Sequence, residues 1–205
     1  MKSQYVDIDV TRRKFDFELG QFIRLKESNR KRGVIILDAS FRNIYLAFSA
    51  INLNPSPIIF AVKINFENYD LEPLSVQFVN PFTFELINNR NQLLTHFNRK
   101  VCLEDGGISM QSLLVQNNGK PPFICIPGIR EYHNHPAHTG DSWLLHRRDG
   151  EGTLGFIVDK LYEYGISGIA CYQVPGINIQ GPNINYQAGN FNILSLPVAY
   201  NKIPE

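Results

Sequence analysis

From Gly33 onward the chain is written in short runs of apolar residues broken by polar ones. GVIILDAS (33–40) and NIYLAFSA (43–50) are rich in branched and aromatic residues and are separated only by Phe41 and Arg42. PIIFAVKINF (57–66) repeats the type after a proline-containing loop at 54–57. PLSVQFV (73–79) sets Leu74, Val76 and Phe78 against polar Ser75 and Gln77, the period-two pattern of a half-solvated strand. Four strands joined by short links predict an antiparallel meander. The period changes in TLGFIVDKLYEYG (153–165), where Leu154, Ile157, Leu161 and Tyr164 form one apolar stripe at spacings of three and four. Thr153 is placed to cap that helix, and Gly165 to stop it in a left-handed conformation. A meander packed on a helix is an α+β domain.

The flanks are less regular. Phe15, Phe17 and Leu19 alternate, then Phe22, Ile23 and Leu25 drift toward helical spacing, so the pattern assigns no element before residue 33. RLKESNRKRG (24–33) reads as a solvated connector. Residues 80–118, punctuated by NPF, NNRN and EDGG, read as an insertion with short elements. The tail, 166–205, is dense in Gly, Pro and Asn but keeps apolar clusters such as FNILSLPVAY, and is expected to wrap the core. The division that follows is an N-terminal extension (1–32), a main domain (33–165) and a C-terminal wrapping segment (166–205).

Composition narrows the function classes. Of 205 residues, 43% are hydrophobic and 12% aromatic, enough for a substantial core. Twenty basic and nineteen acidic residues leave a formal charge of +1, so no global field recruits nucleic acid or acidic lipid. No apolar run suits a signal peptide or approaches the roughly 20 residues of a membrane helix, so a cytoplasmic location is expected. Three widely spaced cysteines, Cys102, Cys125 and Cys171, fit no disulfide framework.

The chemistry is concentrated in one place. Four of the five histidines, His133, His135, His138 and His146, lie within 130–147. Cys125, Glu131, His133, His135 and His138 fall within fourteen residues and are the donor types Zn²⁺ accepts, at about 2.3 Å for sulfur and roughly 2.0 to 2.2 Å for nitrogen and oxygen. Pro127-Gly128 is a turn signal that could fold FICI back on IREYH as a hairpin. In an extended segment Glu131, His133 and His135 would share a face, and Pro136 would bend the chain so that His138 returns. The expected ligands are Cys125, Glu131, His135 and His138, with His133 as the substitute for one of them, in a site loop spanning 121–148. Asp141 is placed to orient a ligand imidazole. His146 is a poorer candidate, and Trp143 reads as a core anchor. A hydrogen-bonded cluster without metal, and histidine-assisted catalysis without metal, are the alternatives. With four ligands the site would be structural; with three, a metal-bound water could hydrolyse substrate with Glu131 as general base.

The order Cys, Glu, His, His also resembles a bacterial family of predicted metal-binding domains found alongside ubiquitin-like conjugation proteins. FAVKINFENYDLEPLSVQF (60–78) resembles the third and fourth strands of the ubiquitin-conjugating fold, with Phe66, Tyr69, Pro73 and Phe78 at the positions of its strand-end Phe, its Tyr-x-x-x-Pro turn and its closing aromatic residue. NNGKPPFICI (117–126) is similar to the segment bearing that family's catalytic cysteine, with Cys125 in its place and a tryptophan and an amphipathic helix following. His96-Phe97-Asn98 before Cys102 is the nearest match to the family's His-Pro-Asn segment, lacks the proline, and reads as a chance match. The resemblance implies a zinc-binding, ubiquitin-conjugating-like domain working with a ubiquitin-like protein and its activating enzyme as an accessory or divergent component. The enzymatic alternatives are a thioester-forming conjugating enzyme using Cys125, or a zinc-dependent hydrolase.

Overall fold

A computed structural model describes residues 4–173 except 96 and 148, together with 177–180, 183–186 and 192–195; side chains are described as far as residue 169. The four predicted strands are present as β1 (Val34–Ser40), β2 (Asn43–Ser49), β3 (Ile58–Asn65) and β4 (Ser75–Val79), in one antiparallel sheet of order β1-β2-β3-β4. Register aligns Leu46, Val62 and Phe78 in one row and Ile44, Ile64 and Val76 in the next, all buried on the inner face. The other face carries the row Tyr45, Lys63, Gln77 and a small apolar row, Ala47, Ala61 and Val79. The turn after β4 folds over this face and stacks Phe84 on Tyr45, with centroids 4.5 Å apart.

The predicted helix is α5 (Leu154–Gly165), capped by Thr153, whose hydroxyl accepts from the Phe156 amide. Its stripe of Leu154, Ile157, Val158 and Leu161 closes the inner face of the sheet. Gly165 does not end the helix in a left-handed conformation. It is the last helical residue, and a Cβ there would lie 2.5 Å from the Phe60 ring and 2.8 Å from Phe97. Close approach, not a positive φ, requires glycine.

The unassigned N-terminus is a helix, α1 (Ile8–Arg24), with Asp7 capping it by accepting from the amides of Asp9 and Val10. Phe15 and Phe22 are buried, seven residues apart, whereas Phe17 is 63% exposed. The outward-facing Phe17 is what made the stretch alternate. Phe15 packs edge-on against Phe66 at 5.1 Å, and Glu18 accepts from both the Tyr69 hydroxyl (3.1 Å) and the first amide of α5 (3.1 Å). One carboxylate therefore ties α1, the β3–β4 turn and α5 together. The connector at 24–33 contains a short helix, α2 (Lys26–Lys31).

Residues 80–118 include an exposed hairpin, β5 (Asn98–Cys102) with β6 (Ile108–Ser112). The stretch also supplies core: Leu93, Phe97 and Leu113 are buried, with the Phe97 ring 4.8 Å from that of Phe60 and 5.3 Å from Phe78. β7 (Leu114–Val115) pairs with β8 (Phe123–Ile124), which leads into the histidine loop. Within that loop are α3 (Arg130–His133) and α4 (Trp143–His146). Beyond α5, β9 (Ile169–Gln173) pairs with β12 (Asn192–Ser195), and β10 (Ile177–Gln180) with β11 (Asn183–Tyr186). Whether 166–205 wraps the core lies outside the described side chains.

Candidate functional site

Cys125 is held through its backbone amide. Its amide donates to the Leu113 carbonyl at 2.6 Å, and the Leu113 amide donates to the Phe97 carbonyl at 2.7 Å, so a ladder runs from the β5 entry to the cysteine. Ile124 and Ile126 are buried to either side, which fixes the strand and leaves the Cys125 side chain half-exposed.

After Pro127 the chain departs from the expected hairpin. Gly128 adopts φ +87°, and a Cβ there would meet the Gly152 backbone nitrogen at 2.6 Å, so the start and end of the histidine loop are pressed together. Ile129 bridges in parallel to Leu74, and Arg130 then begins a helical turn, α3, instead of an extended strand. Arg130 drives this: it is buried, donates from Nε to the Pro73 carbonyl (3.1 Å) and from its terminal nitrogen to the Glu67 carbonyl, and lies 3.2 Å from Glu72. Satisfying a buried guanidinium outweighs the local preference of a short polar segment.

The helical turn redistributes the predicted ligands, because residues two apart lie on opposite sides of a helix and not on one face. Glu131 turns toward β4, where its carboxylate accepts from the Ser75 hydroxyl and the Val76 amide (3.0 Å). Burial pushes its pKa up, opposed by those two hydrogen bonds. The same contact buries Ser75, which the strand pattern had placed in solvent. His133 points the other way: Nε2 accepts from the Gly128 amide (3.2 Å), and Nδ1 lies 2.9 Å from the Asp141 carbonyl oxygen, to which it donates. Burial holds His133 below the usual imidazole range and keeps it neutral, consistent with one accepting and one donating nitrogen.

His135 and His138 continue toward the cysteine. His135 caps the short helical turn at 136–138 by accepting the Ala137 amide on Nδ1 (3.3 Å), and its Nε2 lies 3.5 Å from the Asn117 amide oxygen. That turn delivers His138, whose Nε2 sits 3.2 Å from Cys125 Sγ. The His138 ring lies flat on Tyr132, with centroids 3.9 Å apart and planes 18° from parallel. The structure thus brings together Cys125 and His138, sets His135 beside them with its ring centroid 5.6 Å from that of His138, and directs Glu131 and His133 elsewhere. Among the described residues, no three or more His, Cys, Asp or Glu side chains are grouped to hold one metal ion. Burial pushes the Cys125 thiol up, while the guanidinium of Arg99 pulls it down.

A second cluster fastens the loop. Asp141 accepts from the Tyr132 hydroxyl (2.7 Å) on one oxygen and meets His146 Nε2 at 2.5 Å on the other, while His146 Nδ1 meets Glu151. The hydrogen bond to Asp141 raises the His146 pKa, and the same bond lowers that of Asp141. Tyr132 is pushed up to about 12 by burial and by Asp141. Trp143 is buried as expected and donates to the Asp70 carbonyl (3.0 Å). Tyr132, Asn117 and Arg99 are the residues near Cys125 that sequence reasoning did not single out. Tyr132 sits between two candidate ligands, but an extended reading turned it away from them.

The architecture defines a mixed α/β protein built on a four-stranded antiparallel sheet with several helices. The chain belongs to the Y4jH-like family: the family model, described as the Y4jH family, matches residues 6–169. It is 41% identical over 175 residues to the uncharacterized protein y4jH of Sinorhizobium fredii (strain NBRC 101917 / NGR234), an alignment covering 79% of this chain and 85% of that one. The matched region runs from before α1 to the start of β9 and contains the whole Cys125–His138 site. The family shown is therefore Y4jH-like, and the resemblance to the Cys-Glu-His-His family is not confirmed by this match. Among the described residues no helix is long and apolar enough to cross a membrane.

Proposed function

We propose that this protein is a ubiquitin-conjugating-like domain that carries an acyl group on Cys125, with His138 as the partner that accepts the thiol proton. The observation that carries this reading is the 3.2 Å approach of His138 Nε2 to Cys125 Sγ. Burial raises the thiol pKa, so a nearby acceptor is what makes the nucleophilic thiolate attainable. The element order supports the likeness to conjugating domains: a helix, a four-stranded meander, the cysteine, then an amphipathic helix. Phe66 and Tyr69, two of the residues that carry the strand-turn-strand resemblance at 60–78, pack edge-on at 5.4 Å.

In the reaction so proposed, Cys125 sulfur attacks the carbonyl carbon of a thioester on the activating enzyme. The thiol proton passes to His138, the Cys125 sulfur–carbonyl bond forms, and the bond to the activating enzyme's sulfur breaks. That leaving thiolate takes up a proton, and the C-terminus of a ubiquitin-like protein now rides on Cys125. Arg99, whose guanidinium draws the Cys125 thiol pKa down, supplies positive charge that favours the negative charge developing on the carbonyl oxygen.

Of the zinc ligands expected from the sequence, Cys125, Glu131, His135 and His138 with His133 as a substitute, two are engaged elsewhere, which speaks against a four-ligand site built on them. The Glu131 carboxylate and both nitrogens of His133 are already hydrogen-bonded on other sides of α3. A hydrolase using Glu131 as its base meets the same obstacle. The thioester reading is tested by incubating the protein with an activating enzyme, ATP and a ubiquitin-like protein, ideally those encoded beside it. The expected product is an adduct cleaved by reducing agent, absent in Cys125→Ala and slower to form in His138→Ala. A reducible adduct that still forms in Cys125→Ala overturns the assignment. Stoichiometric zinc by elemental analysis, lost in His138→Ala, would replace it with an accessory metal-binding role.

A further inference from the structure

Resting on that reading of Cys125 and His138, we infer that Tyr132 is the positioning residue of the pair: its ring is the platform that holds the His138 imidazole against the thiol, and Asp141 locks the platform in place. A histidine acting on a cysteine usually has its second nitrogen held by a third group, which fixes ring orientation. Here the fixing contact is a face. The His138 and Tyr132 rings overlap at 3.9 Å and 18°, close to parallel stacking. The turn at 136–138 sets His138 near the cysteine, but the stack is what fixes the plane in which Nε2 points.

The platform is itself constrained at both ends. Its backbone belongs to α3, which Arg130 docks beneath the β3–β4 turn through the Pro73 and Glu67 carbonyls. Its hydroxyl donates to Asp141 at 2.7 Å. Asp141 cannot swing freely, because His146 takes its other oxygen at 2.5 Å and His133 donates to its backbone carbonyl. His133 packs edge-on against the Tyr132 ring at 5.0 Å, and lies 5.8 Å from Trp143 and 5.2 Å from His146. A continuous set of contacts therefore runs from the buried Trp143 through His133 and Asp141 to Tyr132, and on to His138 and Cys125. In this arrangement His133 and His146, two of the four clustered histidines, support the site without touching the thiol.

Two variants separate the parts of the device. Tyr132→Phe keeps the ring and removes the hydroxyl; Tyr132→Leu removes both. The readout is the rate at which iodoacetamide alkylates Cys125 at neutral pH, with the exposed Cys102 as an internal standard in the same sample. The His138 ring proton resonances report stacking directly. The expected result is a Cys125 rate lowered about fivefold in Tyr132→Leu and about twofold in Tyr132→Phe, the scale of one lost ring contact or hydrogen bond. His138 resonances should lose their ring-current displacement in the leucine variant and keep it in the phenylalanine variant. An unchanged or raised Cys125 rate in Tyr132→Leu, or His138 resonances that do not move, overturns the inference. Should the leucine variant fail to fold, Asp141→Asn in the intact chain takes its place, with an expected fall of about twofold. An unchanged rate in that variant overturns the inference equally. Alkylation does not depend on an activating enzyme, so a failure of thioester formation leaves this outcome readable.

Discussion

The sheet and the histidine loop are held together by different physics. In the sheet, rows such as Leu46, Val62 and Phe78 are buried by register and covered by the α5 stripe; each residue contributes through area, without directional partners. In the loop between Cys125 and Glu151, order comes from specific polar contacts: Arg130 on two carbonyls, Glu131 on Ser75 and Val76, and Asp141 between Tyr132 and His146. Damage to the sheet should therefore unfold the protein, whereas damage to the loop should disturb the site while the fold survives.

The sharpest way to test that contrast is at Gly165, where the two regimes do not overlap. Gly165→Val would push a side chain into Phe60 and Phe97, and is expected to cost about 3 kcal/mol or more, read as a large fall in the urea midpoint. An intact variant with an unchanged midpoint would show that the helix can lift off the sheet at little cost.

Glu131 joins the two regions and should give an intermediate effect. Glu131→Ala leaves the Val76 amide without its acceptor and is expected to cost about 2 kcal/mol. Its pH signature follows from the raised pKa: the folded protein holds the Glu131 proton more tightly than the unfolded chain. This residue's contribution therefore favours folding most at low pH, and declines as pH rises from the ordinary carboxylate range through the raised folded value. Glu131→Gln, which cannot ionise, should flatten that part of the stability–pH curve. A curve unchanged by this substitution would show that the carboxylate is not enclosed as described.

The smallest global effect is expected at His146. His146→Ala removes its contacts with Asp141 and Glu151 and should cost about 1 kcal/mol, with faster amide hydrogen exchange confined to residues 139–151. Because the folded pKa of His146 is raised, its stabilising contribution is fully present below the unfolded imidazole value and is lost as pH rises through the folded one. Wild-type exchange in this loop should accelerate over that window, relative to the alanine variant. Uniform acceleration throughout the sheet would contradict the separation of the two regions.

The same contrast explains what could be read in advance. Strands β1 to β4, helix α5 and its Thr153 cap follow from period and punctuation, because burial on one face imposes a repeat on the sequence itself. Helix α1 was obscured by Phe17, an exposed aromatic whose position is indistinguishable by pattern from that of a buried one. Within the loop, the approach of Cys125 to His138 was legible as spacing and residue type. The assignment of Glu131 and His133 to that centre rested on an extended backbone, and a single helical turn turned both away.

What the sequence by itself determined is the framework, the concentration of sulfur, imidazole and carboxylate in 125–146, and the order in which they occur. What only the tertiary structure decided is which of those groups face one another. The buried Arg130 needed carbonyl acceptors from the β3–β4 turn, 57 and 63 residues away along the chain, and meeting that need rotated its neighbours. A periodic pattern records burial, which is local to a face; the partner of a polar group is set by long-range proximity, and leaves no repeat in the chain to read.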